Sequence, residues 1–455
     1  MRSRFAPGAV ALALAAAAAL AGCGTPGGSS NDTAEKADKE AKQSVAKPDP
    51  SKAGDVTLTV WDQEVRGGQA AQIKRLNAAF QEKYPNVTIK RVAKSFEDLN
   101  KTLKLAVSGS KAPDVVQANQ GRPVMGTLVK GGLLRPLDPY AQAFDWDSRY
   151  SELLLDLNKF SSDGVEFGSG NLYGVSQMGE IVGVFHNKDK VSSPPETLAD
   201  FEQSLADAKQ AGDIPIQFGN LEKWPGIHEY ETVLGQTADK QAVRDFVFAR
   251  DGASFDTPEF TDAATKLRAW ADKGYLAPDF NGTGYDPAWQ QFAKGKGHYL
   301  IAGTWLVADL DKALGDKAGF MLMPGTDAGT DPVALGGESL PWGITQKSAN
   351  PDVAAAYIDF ITDANAAKVL AETGNLPAMP VDESAVPQGL PADVFAAWKT
   401  LDDADGLIPY LDYTTPTFFE DISGAIQRLL GGKDDPEQFV TGVQDKFSKF
   451  TESQP

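Results

Sequence analysis

The chain has 455 residues, with 62 acidic against 43 basic side chains and a formal charge of -19. That balance excludes a nucleic-acid binder, which needs Lys and Arg to displace phosphate counterions, and it favours solubility. One cysteine excludes an internal disulfide, and three histidines, His186, His228 and His298, lie too far apart for a zinc motif, so neither metal nor cofactor is expected.

The N-terminus reads as an export signal. Arg2 and Arg4 precede an apolar, alanine-rich stretch from Ala9 to Ala21, which ends in Leu20-Ala21-Gly22-Cys23. The stretch falls short of the roughly 20 apolar residues that span a bilayer, and its small-residue end suits a peptidase. This end resembles bacterial lipoproteins. The resemblance implies that residues 1–22 are a signal peptide and that Cys23 carries a diacylglyceryl, palmitate-type anchor on the extracellular face of the cell membrane. Loss of Arg2 and Arg4 takes the charge to -21. Gly22-Cys23-Gly24-Thr25-Pro26-Gly27 matches G-x-G-x-x-G by letter only. Residues 23–54 contain almost nothing large and apolar, and they are expected to form a disordered tether.

The remaining chain exceeds one hydrophobic core, so two domains are expected. Val56, Leu58 and Val60 alternate with Thr57 and Thr59, which predicts a strand. Ile73, Leu76, Phe80 and Tyr84 recur at helical spacing, and Pro85 ends that helix. Val87 and Ile89 predict a second strand, Phe96, Leu99, Leu103 and Ala106 a second helical face, and Val115-Val116 a third strand. Such alternation argues for parallel βαβ units in an open, doubly wound sheet.

Val60-Trp61-Asp62, Phe80-x-x-x-Tyr84-Pro85 and Ala112-Pro113-Asp114-Val115-Val116 together resemble the extracellular sugar-binding proteins of ABC importers, the family of the maltose-binding protein. Gly174-Val175-Ser176, Phe185-His186-Asn187-Lys188-Asp189, Gly303-Thr304-Trp305 and Gly336-Gly337-Glu338-Ser339 extend the resemblance in order. It implies a type II periplasmic-binding-protein-like α/β fold of two lobes, each a sheet flanked by helices, with the ligand cleft between them. The implied lobes are 55–178 plus 338–388 and 179–337 plus 389–455. The implied function is capture of an oligosaccharide by hinge closure and delivery to permease subunits in the membrane, by a monomer that is not itself an enzyme.

Ligand residues are expected in the loops that converge on the cleft. The candidates are Trp61, Asp62, Glu64, Asn119, Gln120, Glu180, Trp224, His228, Trp289, Trp305, Glu338, Ser339 and Asp412. Indoles suit the C–H face of a sugar, and carboxylates and amides suit its hydroxyl rim. Each has a structural alternative: Trp61, Trp289 and Trp305 as core packing, Asp62 as a helix cap, Glu180 as a hinge ion pair, and Trp224 with His228 as a structural cap. An exported glycoside hydrolase acting on oligosaccharides would share the signal, the tryptophans and the paired carboxylates.

Overall fold

A computed structural model of the chain describes residues 30–454. The expected signal peptide and the lipid attachment at Cys23 lie outside the described residues. The expectation of a disordered tether over 23–54 is corrected from residue 30 onward. Ser30–Ala41 form a helix, α1. Its Glu40 pairs with Arg135 at 3.6 Å and accepts from the Gln346 amide at 3.1 Å. Further on, Asn86 Nδ2 donates to the carbonyls of Pro50, Ala53 and Gly54, and Val45 and Ala53 pack on a neighbouring core. A segment too polar to build a core needs none of its own when it lies on one already formed.

β1 (Val56–Asp62) turns Val56, Leu58, Val60 and Asp62 inward, as a period of two requires. α2 (Gly67–Lys83) buries Ile73, Leu76 and Phe80, and the chain leaves the helix at Tyr84, ahead of Pro85. β2 (Val87–Ala93) then pairs parallel with β1. α3 (Phe96–Ser108) starts at Ser95, whose hydroxyl accepts from Asp98 N. It buries Leu99, Leu103 and Val107, so the buried face runs through Val107 where Ala106 was expected. β3 (Val115–Gln117) joins the other edge of β1, also parallel.

The second sheet is built around β4 (Gly179–Asn187). Behind it in the chain come α4 (Trp224–Thr237), α5 (Tyr285–Phe292), β5 (Tyr299–Gly303), α6 (Val307–Leu314), β6 (Ala318–Met321) and β7 (Ala334–Glu338). β5 pairs with one edge of β4, and β6 and β7 share the other, all three antiparallel. The expected parallel βαβ units therefore hold for β1, β2 and β3, whereas the neighbours of β4 in the second sheet run antiparallel to it.

The chain goes back to the first sheet through β8 (Trp342–Ile344), antiparallel to β3. α7 (Pro351–Ile361) and α8 (Ala364–Glu372) then pack on α2. Three segments cross between the sheets side by side: Ser339 N donates to Met178 O, Gly179 N to Leu376 O and Ala378 N to Gln177 O, at 2.9–3.0 Å. These crossings join the two sheets.

Candidate ligand-binding cleft

Between the two sheets lies a cavity of about 430 Å³. Of the thirteen candidates, the structure brings Asn119, Glu180, Trp224, His228, Trp305 and Asp412 to its wall.

The second lobe supplies the aromatic side. Trp224 opens α4 immediately after Lys223, whose φ of 72° is unusual for a residue with a Cβ. The Trp224 ring lies 4.5 Å from that of Tyr285 and 6.3 Å from that of Trp305. Trp305 follows β5 and folds back over Gly303, where a Cβ would stand 1.9 Å from the indole. Only glycine admits that approach. Trp305 Nε1 donates to the Tyr285 hydroxyl at 2.7 Å, which fixes the indole plane. Phe96 of the first lobe meets Trp224 at 6.4 Å.

The polar side centres on two carboxylates. Glu180, the second residue of β4, accepts from the Tyr410 hydroxyl at 2.9 Å. Asp412 sits in the turn Leu411–Tyr413, held by Leu411 N donating to the buried Glu231 carboxylate of α4. Burial pushes both up to about 7, and the Asp412 charge adds to the rise at Glu180. His228, between Trp305 and Tyr410, is pushed down to about 3 by burial, so it is a neutral imidazole at pH 7. It offers one donor or one acceptor at each ring nitrogen.

The other seven candidates lie off the wall. Asp62 is fully buried and takes a two-pronged bond from Arg91, at 2.7 and 2.6 Å. Glu64, likewise fully buried, accepts from Gln117 Nε2 at 2.7 Å. Gln120 spans to the carbonyls of Glu338 and Ser339 and accepts from Tyr413. Glu338 accepts from Asn158 and Gln120, and Ser339 is buried at the crossing. Trp61 packs on the core beneath Lys94, and Trp289 donates to Asp286 while packing on the second lobe. These seven support the cleft from behind. Arg122 donates to the carbonyls of Val247, Phe248 and Thr414 and joins the lobes away from the cavity.

Sequence reasoning missed Gln63, Arg66, Phe96, Glu222, Tyr285 and Asp286 on the wall. For Tyr285 a signal existed, since an aromatic opens the same helix as Trp289. Gln63 was flanked by the two acids that drew notice; it lies one residue past β1, with its N–H donating to Gln117 Oε1 at 2.8 Å.

Two α/β lobes joined by three crossings, with a cavity between them, define the two-domain binding-protein fold. The particular family follows from comparison. Residues 75–400 match the bacterial extracellular solute-binding protein family, and the chain belongs to it. The maltodextrin-binding protein MdxE of Bacillus subtilis is 24% identical over 345 residues, 74% of this chain and 76% of MdxE. A maltooligosaccharide ABC transporter solute-binding lipoprotein of Streptococcus pneumoniae is 25% identical over 68% of this chain and 73% of its own. Among solved structures, a chitin oligosaccharide binding protein superposes with a TM-score of 0.75 at 21% identity, covering 87% of this chain and 99% of that one. The maltose-maltodextrin binding protein of Alicyclobacillus acidocaldarius superposes at 0.67 with 19% identity, covering 86% and 100%. The family is one of binding proteins. Among the described residues no helix is long and apolar enough to cross a membrane.

Proposed function

We propose that this chain is the substrate-binding lipoprotein of an ABC importer, and that it captures an oligosaccharide by closing its lobes and presents it to a membrane permease. One observation carries the sugar reading: the rings of Trp224, Tyr285 and Trp305 and the carboxylates of Glu180 and Asp412 line one cavity. A pyranose has an apolar C–H face and a rim of hydroxyls, and such a set of side chains suits both. The relatives named for maltodextrin and maltooligosaccharide support the same class.

In this reading the lobes are 55–178 plus 338–388 and 179–337 plus 389–455. Cys23 carries the lipid, and the docking of α1 on the first lobe through Arg135 and Gln346 brings that lobe near the bilayer. From Cys23 to Ser30 the chain reaches at most about 25 Å, against more than 100 Å for a free tether to residue 54.

The test is a thermal-shift screen of residues 24–455 against maltotriose, xylotriose, raffinose and chitotriose, with chromatography of every sugar that raises the melting temperature. A stabilising sugar recovered intact supports the receptor. A cleaved sugar makes the protein a hydrolase, and no stabilisation by any sugar removes the oligosaccharide reading.

A further inference from the structure

We infer that Arg66, Asp286 and Asp309 are positioning residues for capture: carboxylates of the second lobe complete the amino end of α2 in the first, and so hold the lobes closed. The inference rests on the closure mechanism proposed above, and its test uses no ligand.

An α-helix begins with backbone N–H groups that have no partner within it and with a partial positive charge. Some helices answer this with their own capping side chain, as α3 does through Ser95. α2, 17 residues long, does not: its N-cap is Arg66, which makes no capping bond, and its first turn has no acidic residue. The missing groups come from across the cleft. Gly67 N donates to Asp309 Oδ2 of α6 at 3.3 Å. Arg66 Nη1 donates to Asp286 Oδ1 of α5 at 2.9 Å, with its guanidinium 5.7 Å from the centre of the Tyr285 ring. α6 belongs to the second lobe, packed on β6.

The approach is sterically specified. A Cβ on Gly67 would lie 2.6 Å from Asp309 Oδ1, and one on Gly68 would lie 2.7 Å from the Ala308 Cβ and 2.7 Å from Thr373 O. Two successive glycines at a helix start thus leave room for the opposite lobe. Arg66 and Asp286 also line the cavity, so the contact lies beside the ligand space. When the lobes part, these carboxylates leave and water alone serves the α2 terminus.

Each contact is partly exposed and modest by itself. Open and closed forms of a two-state protein differ by only a few kcal/mol, however, so one cap suffices to change their ratio. Removing a capping carboxylate is worth about fivefold in such an equilibrium.

The experiment is pulsed electron paramagnetic resonance on the full lipidated chain without ligand. Spin labels are placed by Asp98→Cys and Glu420→Cys, each beside a cavity-lining residue of a different lobe. Asp309→Ala is expected to raise the ratio of long to short label distances about fivefold. Gly67→Ala is expected to shift it the same way by sterics alone. Arg66→Asp is expected to open the protein, and Arg66→Asp with Asp286→Arg to restore the short distance, a rescue that a purely local role would not give. A distance distribution unchanged by Asp309→Ala, or a charge exchange that does not restore closure, overturns the inference.

Discussion

Trp305 donates its indole N–H to the hydroxyl of Tyr285 at 2.7 Å, so one cleft aromatic is held in its plane by another. The bond separates two contributions that are usually confounded, the area of the ring and its orientation. Trp305→Ala removes both and is expected to weaken the sugar found by the screen at least tenfold, about 1.5 kcal/mol or more. Tyr285→Phe keeps every ring and removes only the acceptor, which costs about 1 kcal/mol. Calorimetric titration of both variants checks the order. Equal losses would mean that the indole plane carries nothing by itself.

Glu180 faces the cavity with one oxygen engaged by Tyr410. Glu180→Gln preserves an acceptor for Tyr410 but exchanges the carboxylate for an amide. A ligand hydroxyl that donates to the charged oxygen then loses about 1.5 kcal/mol or more, roughly tenfold in Kd. Unchanged affinity in the titration would remove Glu180 from the ligand contacts.

Asp62 and Arg91 should behave differently. Asp62 is fully buried and doubly bonded, so Asp62→Ala leaves a guanidinium without its partner and is expected to cost about 3 kcal/mol of folding stability. Urea unfolding reports the loss. The rank order of sugars in the screen is expected to stay as in the unmodified protein, because the pair stands behind the wall.

Buried carboxylates give a dependence on pH. Burial raises Glu64 and Glu338 to about 8, and Glu180 and Asp412 to about 7. A raised acid binds more protons folded than unfolded, so its stabilising effect is complete below its unfolded value and is lost as pH climbs through the folded value. His228, pushed down to about 3, acts oppositely and only between about 3 and 6.5. Above pH 6.5 the carboxylates act alone, and the melting temperature of the ligand-free protein is expected to fall from pH 6.5 to 8.5. Glu338→Gln, which mimics the protonated acid, is expected to flatten that slope in differential scanning calorimetry.

The docked N-terminal helix makes a separate claim on stability. Glu40→Ala removes the partner of Arg135 and Gln346 and is expected to lower stability by less than about 1 kcal/mol, since the pair is near the surface. It is also expected to speed protease cleavage between residues 30 and 54. Limited proteolysis with the cut sites read by mass spectrometry decides whether the segment is held there.

Much of the first lobe was legible in sequence because it depends on neighbours along the chain. Periods of two and 3.6 report which face is buried, and β1, α2, β2, α3 and β3 follow them closely. The order of motifs also carried the two-lobed family. The resemblance of Gly303-Thr304-Trp305 to the family's turn pointed to Trp305, which stands on the cavity wall. Only the tertiary structure decided which polar residues face the ligand space. Asp62 and Gln63 are adjacent, yet the first turns to Arg91 and the second stands on the cavity wall. Trp289 lies four residues beyond Tyr285, about 6 Å further along the helix axis, and that displacement separates a ring that packs from a ring that lines the cleft. The same holds for α1, α6 and the amino end of α2. Their partners are distant in sequence, Gln346 for α1 and Asp309 for α2, and no spacing along a chain records such contacts.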